Sequence, residues 1–140
     1  MKVKVKKLVP EAKIPKYAKE GDAGLDLTVT SVEDLELLDY TKYGFGLAFE
    51  IPVGYVGLLF PRSSCYKKDQ VMSNAVGVID SSYRGEVSAV MIGMSDEKYE
   101  VGERAAQLII MPYQQIELEE AEELSETERG QGGFGSTGVK

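Results

Sequence analysis

Histidine and tryptophan are both absent from this chain of 140 residues. The missing histidine removes the usual general base near neutral pH and the commonest metal ligand. Acid–base chemistry must then rest on carboxylates, Tyr, Lys or Cys. Any bound metal is expected to be a hard cation held by oxygen atoms, such as Mg2+. The single cysteine, Cys65, cannot close an internal disulfide, which agrees with a reducing compartment. Nothing approaches the roughly 18 consecutive apolar residues that a membrane span needs. The opening MKVKVKKLVPEAKIP alternates Lys with Val and lacks the continuous apolar core of a secretory signal. A cytoplasmic location without membrane contact is therefore expected. Positive charge is also scarce. The net charge is −7, which argues against direct nucleic-acid binding through a generic electrostatic grip.

What is present is a series of short apolar runs. KVKVKKL and GLDLTVT alternate, as strands with one wet face do. FGLAFEIP and YVGLLFP read as two strands joined at Pro52–Gly54, a turn signal. NAVGVID, EVSAVMIG and AAQLIIMP are further strand candidates bounded by Gly, Asp or Pro. This spacing predicts an all-β sandwich or barrel. SSCYKKDQ predicts one short helix after Pro61, and EEAEELSE reads as an exposed acidic lead into the tail. The length suits one domain. LLF and LIIM are apolar on successive residues, which suits burial on both faces or contact with another subunit.

Four stretches could carry chemistry. In DAGLDL, Asp26 lies on the opposite strand face from Leu25 and Leu27, either toward solvent or toward a cation or sugar hydroxyl. In PRSS, Arg62 precedes two hydroxyls at a helix start, which suits an oxyanion cradle, a helix N-cap at Ser63 or Ser64, or both. NAVGVIDSSYRGE ends an apolar strand in Asp80, where partial desolvation would make a better base. Tyr83 offers a flat face there, and Arg84 and Gly85 suit a turn. GERAAQL places Gln107 inside an apolar strand, where it must be exposed or hydrogen-bonded. The tail RGQGGFGSTGVK, residues 129–140, is rich in Gly and cannot pack well.

Taken in order, DAGLDL, PRSS, NAVGVIDSSYRGE, GERAAQL and RGQGGFGSTG resemble the five motifs of the trimeric dUTPase family, from about residue 20 to residue 138. The resemblance implies a distorted β-barrel or jelly roll over residues 1–128, with one short helix. A flexible Gly-rich arm, residues 129–140, would close over the active site. It implies a homotrimer with active sites between subunits, acting on dUTP with Mg2+ mainly on the substrate phosphates. Asp80 resembles the residue that activates the attacking water. Asn74, Gly77, Val78 and Ile79 resemble the uracil-binding hairpin, and Tyr83 the ring beneath the deoxyribose. Arg62, Ser63, Ser64 and Gln107 resemble phosphate ligands. Asp26 resembles a carboxylate that meets the metal through water. In the arm, Phe134 and Gly135 resemble the stacking element, and Arg129, Ser136 and Thr137 the γ-phosphate ligands. Cytoplasm is implied, or host cytoplasm for a viral chain. The family also leaves room for a regulatory protein partner. Two departures are Ser64 in place of the usual Gly and Gly93 where many members have Asn. A related fold, the dCTP deaminases, needs a catalytic Glu at a position that aligns with Val90, so deamination is disfavoured.

Overall fold

The computed structural model describes residues 1–35, 39–93 and 95–133. In chain order the strands are β1 (Lys4–Lys7), β2 (Leu25–Thr28), β3 (Ser31–Asp34), β4 (Tyr40–Gly44), β5 (Leu47–Glu50), β6 (Tyr55–Pro61), β7 (Gln70–Met72), β8 (Gly77–Ile79), β9 (Ser88–Gly93) and β10 (Arg104–Pro112). One 3₁₀ helix, Ser63–Lys68, follows β6. All strand pairings are antiparallel. One four-stranded sheet has the order β2-β10-β6-β8, and a second the order β3-β4-β9-β7. β1 and β5 form a separate pair.

Alternation decides which side chains meet between the sheets. Leu27, Leu59, Ala106 and Leu108 point inward from the first sheet; Tyr43, Ala89, Met91 and Met72 do so from the second. Together with Phe45, Leu47 and Val87 they form one core. A buried polar lattice crosses it. Tyr43 Oη donates to Gln70 Oε1 at 3.3 Å and accepts from the Tyr99 amide at 3.4 Å. Gln70 Nε2 in turn donates to Glu97 O at 2.9 Å. A Cβ on Gly93 would strike the Gln70 amide at 2.5 Å, so the glycine at this position belongs with this arrangement of Gln70.

The all-β, jelly-roll expectation with one short helix is met, with two corrections of detail. The strands of the described residues do not close into one barrel; they fall into three separate sheets. The break comes at Gly46, whose φ of +63° turns the chain out of β4's sheet and toward β1. A side chain there would also collide with Val9 and Ala12. The N-cap expectation fails as well. Arg62, not Ser63 or Ser64, holds the cap position of the 3₁₀ helix, and no side chain caps it. β3, β4 and β7 do not stand out in the sequence, because SVED, YTKYG and QVM carry too little apolar alternation.

Candidate active site

The outer face of the β2-β10-β6-β8 sheet carries the residues singled out in the sequence. β2 pairs with β10 so that Asp26 stands opposite Gln107, and β10 pairs with β6 so that Gln107 stands opposite Phe60. Asp26 is therefore not solvent-facing alone. Its Oδ1 accepts from Arg62 Nε at 2.8 Å, and its Oδ2 from Arg104 Nη1 at 2.9 Å. Arg62 Nη1 also donates to Ser64 Oγ at 3.4 Å and to Arg104 O at 3.3 Å. Gln107 Nε2 donates to Pro61 O at 3.2 Å, which answers why an amide sits in an apolar strand. Gly24 leaves room for that amide, since a Cβ there would overlap its oxygen. Asp26, Arg62, Ser64 and Gln107 thus meet in one cluster.

Beside the cluster lies a cavity of about 360 Å³ lined by Arg62, Ser64, Lys68, Tyr99 and Arg104 among others. Lys68 is committed: it pairs with Glu103 at 3.2 Å and donates to Lys98 O at 3.1 Å. The backbone amide of Glu100, more than Lys68, holds the Glu103 carboxyl below its ordinary value. Burial pushes the Tyr99 phenol upward, with Ser64 and Arg62 acting the other way.

Asp80 lies elsewhere on the same sheet. Ile79 pairs with Gly57, so Asp80 falls level with Val56. Arg62 is six residues farther along that strand direction, a separation of roughly 20 Å at about 3.3 Å per residue. Asp80 borders a cavity of about 480 Å³ with Tyr55, Leu58, Val78, Ser81 and Tyr113. It is exposed in the single chain, so the expected partial desolvation is not met there. Asn74 and Val78 are exposed, Ile79 is half-buried, and Gly77 is buried against Leu59. Ala75, between Asn74 and Gly77, adopts φ +57°, which is uncommon for a residue with a Cβ.

Tyr83 folds back over Gly85 and donates to Glu86 O at 3.0 Å. Arg84 donates to Ser81 O and Tyr83 O, so Arg84 and Gly85 shape the turn as expected. Ser63 is exposed. Arg129 is exposed and donates to Gly132 O at 3.0 Å. Phe134, Gly135, Ser136 and Thr137 lie outside the described residues.

Among the described residues no three His, Cys, Asp or Glu side chains cluster to hold a metal. Both Asp26 oxygens already accept a guanidinium N–H. A carboxylate retains further lone pairs, so Asp26 fits an outer contact through water better than direct ligation. Among the described residues no helix is long and apolar enough to cross a membrane.

The chain resembles known proteins over nearly its whole length. A protein-family model described as dUTPase matches residues 10–138. A deoxyuridine 5'-triphosphate nucleotidohydrolase from Nautilia profundicola is 48% identical, with 99% of each chain covered. One from Hydrogenobaculum sp. is 44% identical, with 100% of each covered. The solved structure of Staphylococcus bacteriophage 80alpha dUTPase with dUPNHPP superposes with a TM-score of 0.85 at 32% identity and 99% coverage of both chains.

Proposed function

The chain belongs to the dUTPase family of deoxyuridine 5'-triphosphate nucleotidohydrolases, and from that premise we propose that it converts dUTP and water to dUMP and pyrophosphate by attack of water on the α-phosphorus. The observation that carries this reading is the cluster of Arg62, Ser64 and Gln107 around Asp26. Such a set suits a polyphosphate, because guanidinium and hydroxyl donors form charge-assisted bonds to its oxygens. Ser63 would add its hydroxyl beside them. Asp80 orients the attacking water and takes its proton. With histidine absent from the sequence, a carboxylate is a reasonable base. Asn74 and the backbone of Gly77, Val78 and Ile79 hold the uracil edge, too tightly for a 5-methyl group. Tyr83 lies under the deoxyribose and excludes a 2′-hydroxyl.

Asp80 and Arg62 are roughly 20 Å apart on one sheet, farther than one triphosphate can bridge. We therefore read the working site as assembled from Asp80 of one copy and the Arg62 cluster of another, in a homotrimer. Half-buried Leu58 and Ile109 with exposed Val78 and Met111 on the outer face suit such a contact. Mg2+, when bound on the substrate phosphates and touching Asp26 through water, would neutralise charge that builds on the leaving pyrophosphate. Residues 1–128 form the β domain, and residues 129–140 the arm. Its Arg129, Ser136 and Thr137 reach the γ-phosphate while Phe134 and Gly135 cover the uracil. Closure of the arm keeps bulk water from the reacting phosphate. The product, dUMP, feeds dTMP synthesis, and removal of dUTP limits uracil in DNA.

The test is pyrophosphate release with Mg2+ from dUTP beside dCTP, dTTP and UTP. Release from dUTP alone, with dUMP as co-product, is expected. Release from none of the four would overturn the enzymatic reading and favour a nucleotide-sensing binding protein.

A further inference from the structure

The turn after β8 carries Asp80 and Tyr83, and Glu86 closes it. Tyr83 N donates to Asp80 O at 3.1 Å, which makes the turn tight. The Tyr83 ring lies back over Gly85, where a Cβ would overlap it, and its hydroxyl donates to Glu86 O at 3.0 Å. The residue is still 45% exposed. One side of the ring therefore rests on backbone and the other stays open. Where Glu86 sits decides where the ring sits.

Glu86 is itself held by the core. Its Oε1 accepts from Gly46 N at 2.7 Å. The next residue is tied to the same bend: Val87 N donates to Leu47 O at 2.9 Å, and Phe45 N donates to Val87 O at 3.3 Å. Gly46 is buried, so its N–H needs an acceptor. Among the described residues no Lys or Arg pairs with Glu86. A half-buried carboxylate without a cation is thus aimed at one backbone amide, at the bend where the chain leaves β4. Gly44 leaves the space for it, since a Cβ there would stand 2.7 Å from Glu86 Oε1.

We propose that Glu86 is a positioning residue for sugar selection. Its carboxylate, bound to the Gly46 N–H, fixes the backbone carbonyl that holds the Tyr83 hydroxyl, and so fixes how closely the ring approaches the 2′ carbon of the sugar. This rests on the proposed function of the same site, in which Tyr83 lies under the deoxyribose. Steric selection against a 2′-hydroxyl needs a ring that does not yield. A ring free to retreat by about 1 Å would admit the ribonucleotide, and a misplacement of that size can change a rate about 10²-fold.

The experiment is the ratio of kcat/KM for dUTP to kcat/KM for UTP, measured with Mg2+ on full-length variants. The ratio does not depend on how much of a preparation is folded, because partial unfolding removes both activities equally. Glu86→Ala should narrow the ratio about tenfold or more. Glu86→Gln keeps an oxygen that accepts from Gly46 and should hold the ratio within about twofold of wild type. Tyr83→Phe removes the hydroxyl end of the same tie and should also narrow the ratio. Adding Glu86→Ala to it should then change little, because both substitutions release one ring. If Glu86→Ala gives no folded protein, Glu86→Asp, one methylene short of Gly46, decides by the same ratio. A wild-type ratio in folded Glu86→Ala would overturn the inference and leave the dUTPase reading intact. So would a loss in Glu86→Gln as large as in Glu86→Ala, or full additivity with Tyr83→Phe. A wild-type ratio in Tyr83→Ala would remove Tyr83 from sugar selection, and the inference with it. Failure of the wild-type protein to hydrolyse dUTP would overturn both.

Discussion

The two four-stranded sheets share one core but differ on their outer faces. The β2-β10-β6-β8 sheet presents the Asp26–Arg62–Arg104 cluster, Gln107, and Asp80 just past the end of β8. The β3-β4-β9-β7 sheet presents side-chain pairs that satisfy themselves, such as Lys42 with Glu33 at 3.3 Å and Lys98 with Asp34 at 2.7 Å. On the first sheet a carboxylate gathers cations whose remaining donors stay open. On the second, cation and carboxylate meet one to one. Carboxylates of both kinds look alike in composition; the difference lies in what their partners have left to offer.

The comparison is tested first with paired substitutions. Asp80→Asn should lower kcat by about 10²–10⁴-fold, the usual contribution of a general base, with dUpNHpp affinity nearly unchanged. Asp34→Asn should leave kcat within about twofold, since surface ion pairs contribute little. Steady-state kinetics on both variants decides; equal losses would erase the distinction between the sheets.

A smaller effect is expected from the polar lattice behind the second sheet. Gln70→Leu leaves the Tyr43 O–H without its acceptor and the Glu97 carbonyl without its donor. It should lower unfolding free energy by about 1–3 kcal/mol, while kcat per folded site holds. Urea unfolding beside kinetics separates the two; a loss of kcat without a loss of stability would give this sheet a part in the chemistry.

The smallest effect is expected with alkali. Burial holds the Tyr43 and Tyr99 phenols above their ordinary value of 10.0. Both are protonated in folded and unfolded chains below about pH 10, where their contribution is complete. As the pH rises through the raised folded values, ionisation favours the unfolded chain and stability falls. Melting temperatures from pH 8 upward should stay level and then decline. Tyr43→Phe should soften the decline, and an unchanged profile would remove Tyr43 as a cause.

The sequence made some of this legible and hid the rest for identifiable reasons. β1, β2 and β10 are visible because Lys, Asp and Gln interrupt Val, Leu and Ile, and β6 because YVGLLFP is a short apolar run that ends in Pro. The turn at Pro52–Gly54 is visible too: Tyr55 N donates to Pro52 O at 3.1 Å, and Gly54 takes φ +85°. The short helix follows Pro61 as expected. Arg104 was not legible as a partner of Asp26. Its position depends on a bulge, and GERAAQL contains neither a Gly nor a Pro at Ala105 to announce one. Sheet membership was hidden as well, because β5 and β6 are neighbours in sequence yet pair with different strands. Alternation reports which face a residue occupies. It does not report which strand lies alongside.

The length of β6 has a consequence for inheritance. Because it separates Asp80 from Arg62 by roughly 20 Å, lesions at its two ends would, in the trimer proposed above, damage different halves of a site shared between subunits. A chain disabled at Asp80 and a chain disabled at Arg62 would each be inactive alone. Assembled together, each would supply the half that the other lacks. Two null alleles of this gene in one cell should then complement each other, and two alleles broken at the same end should not.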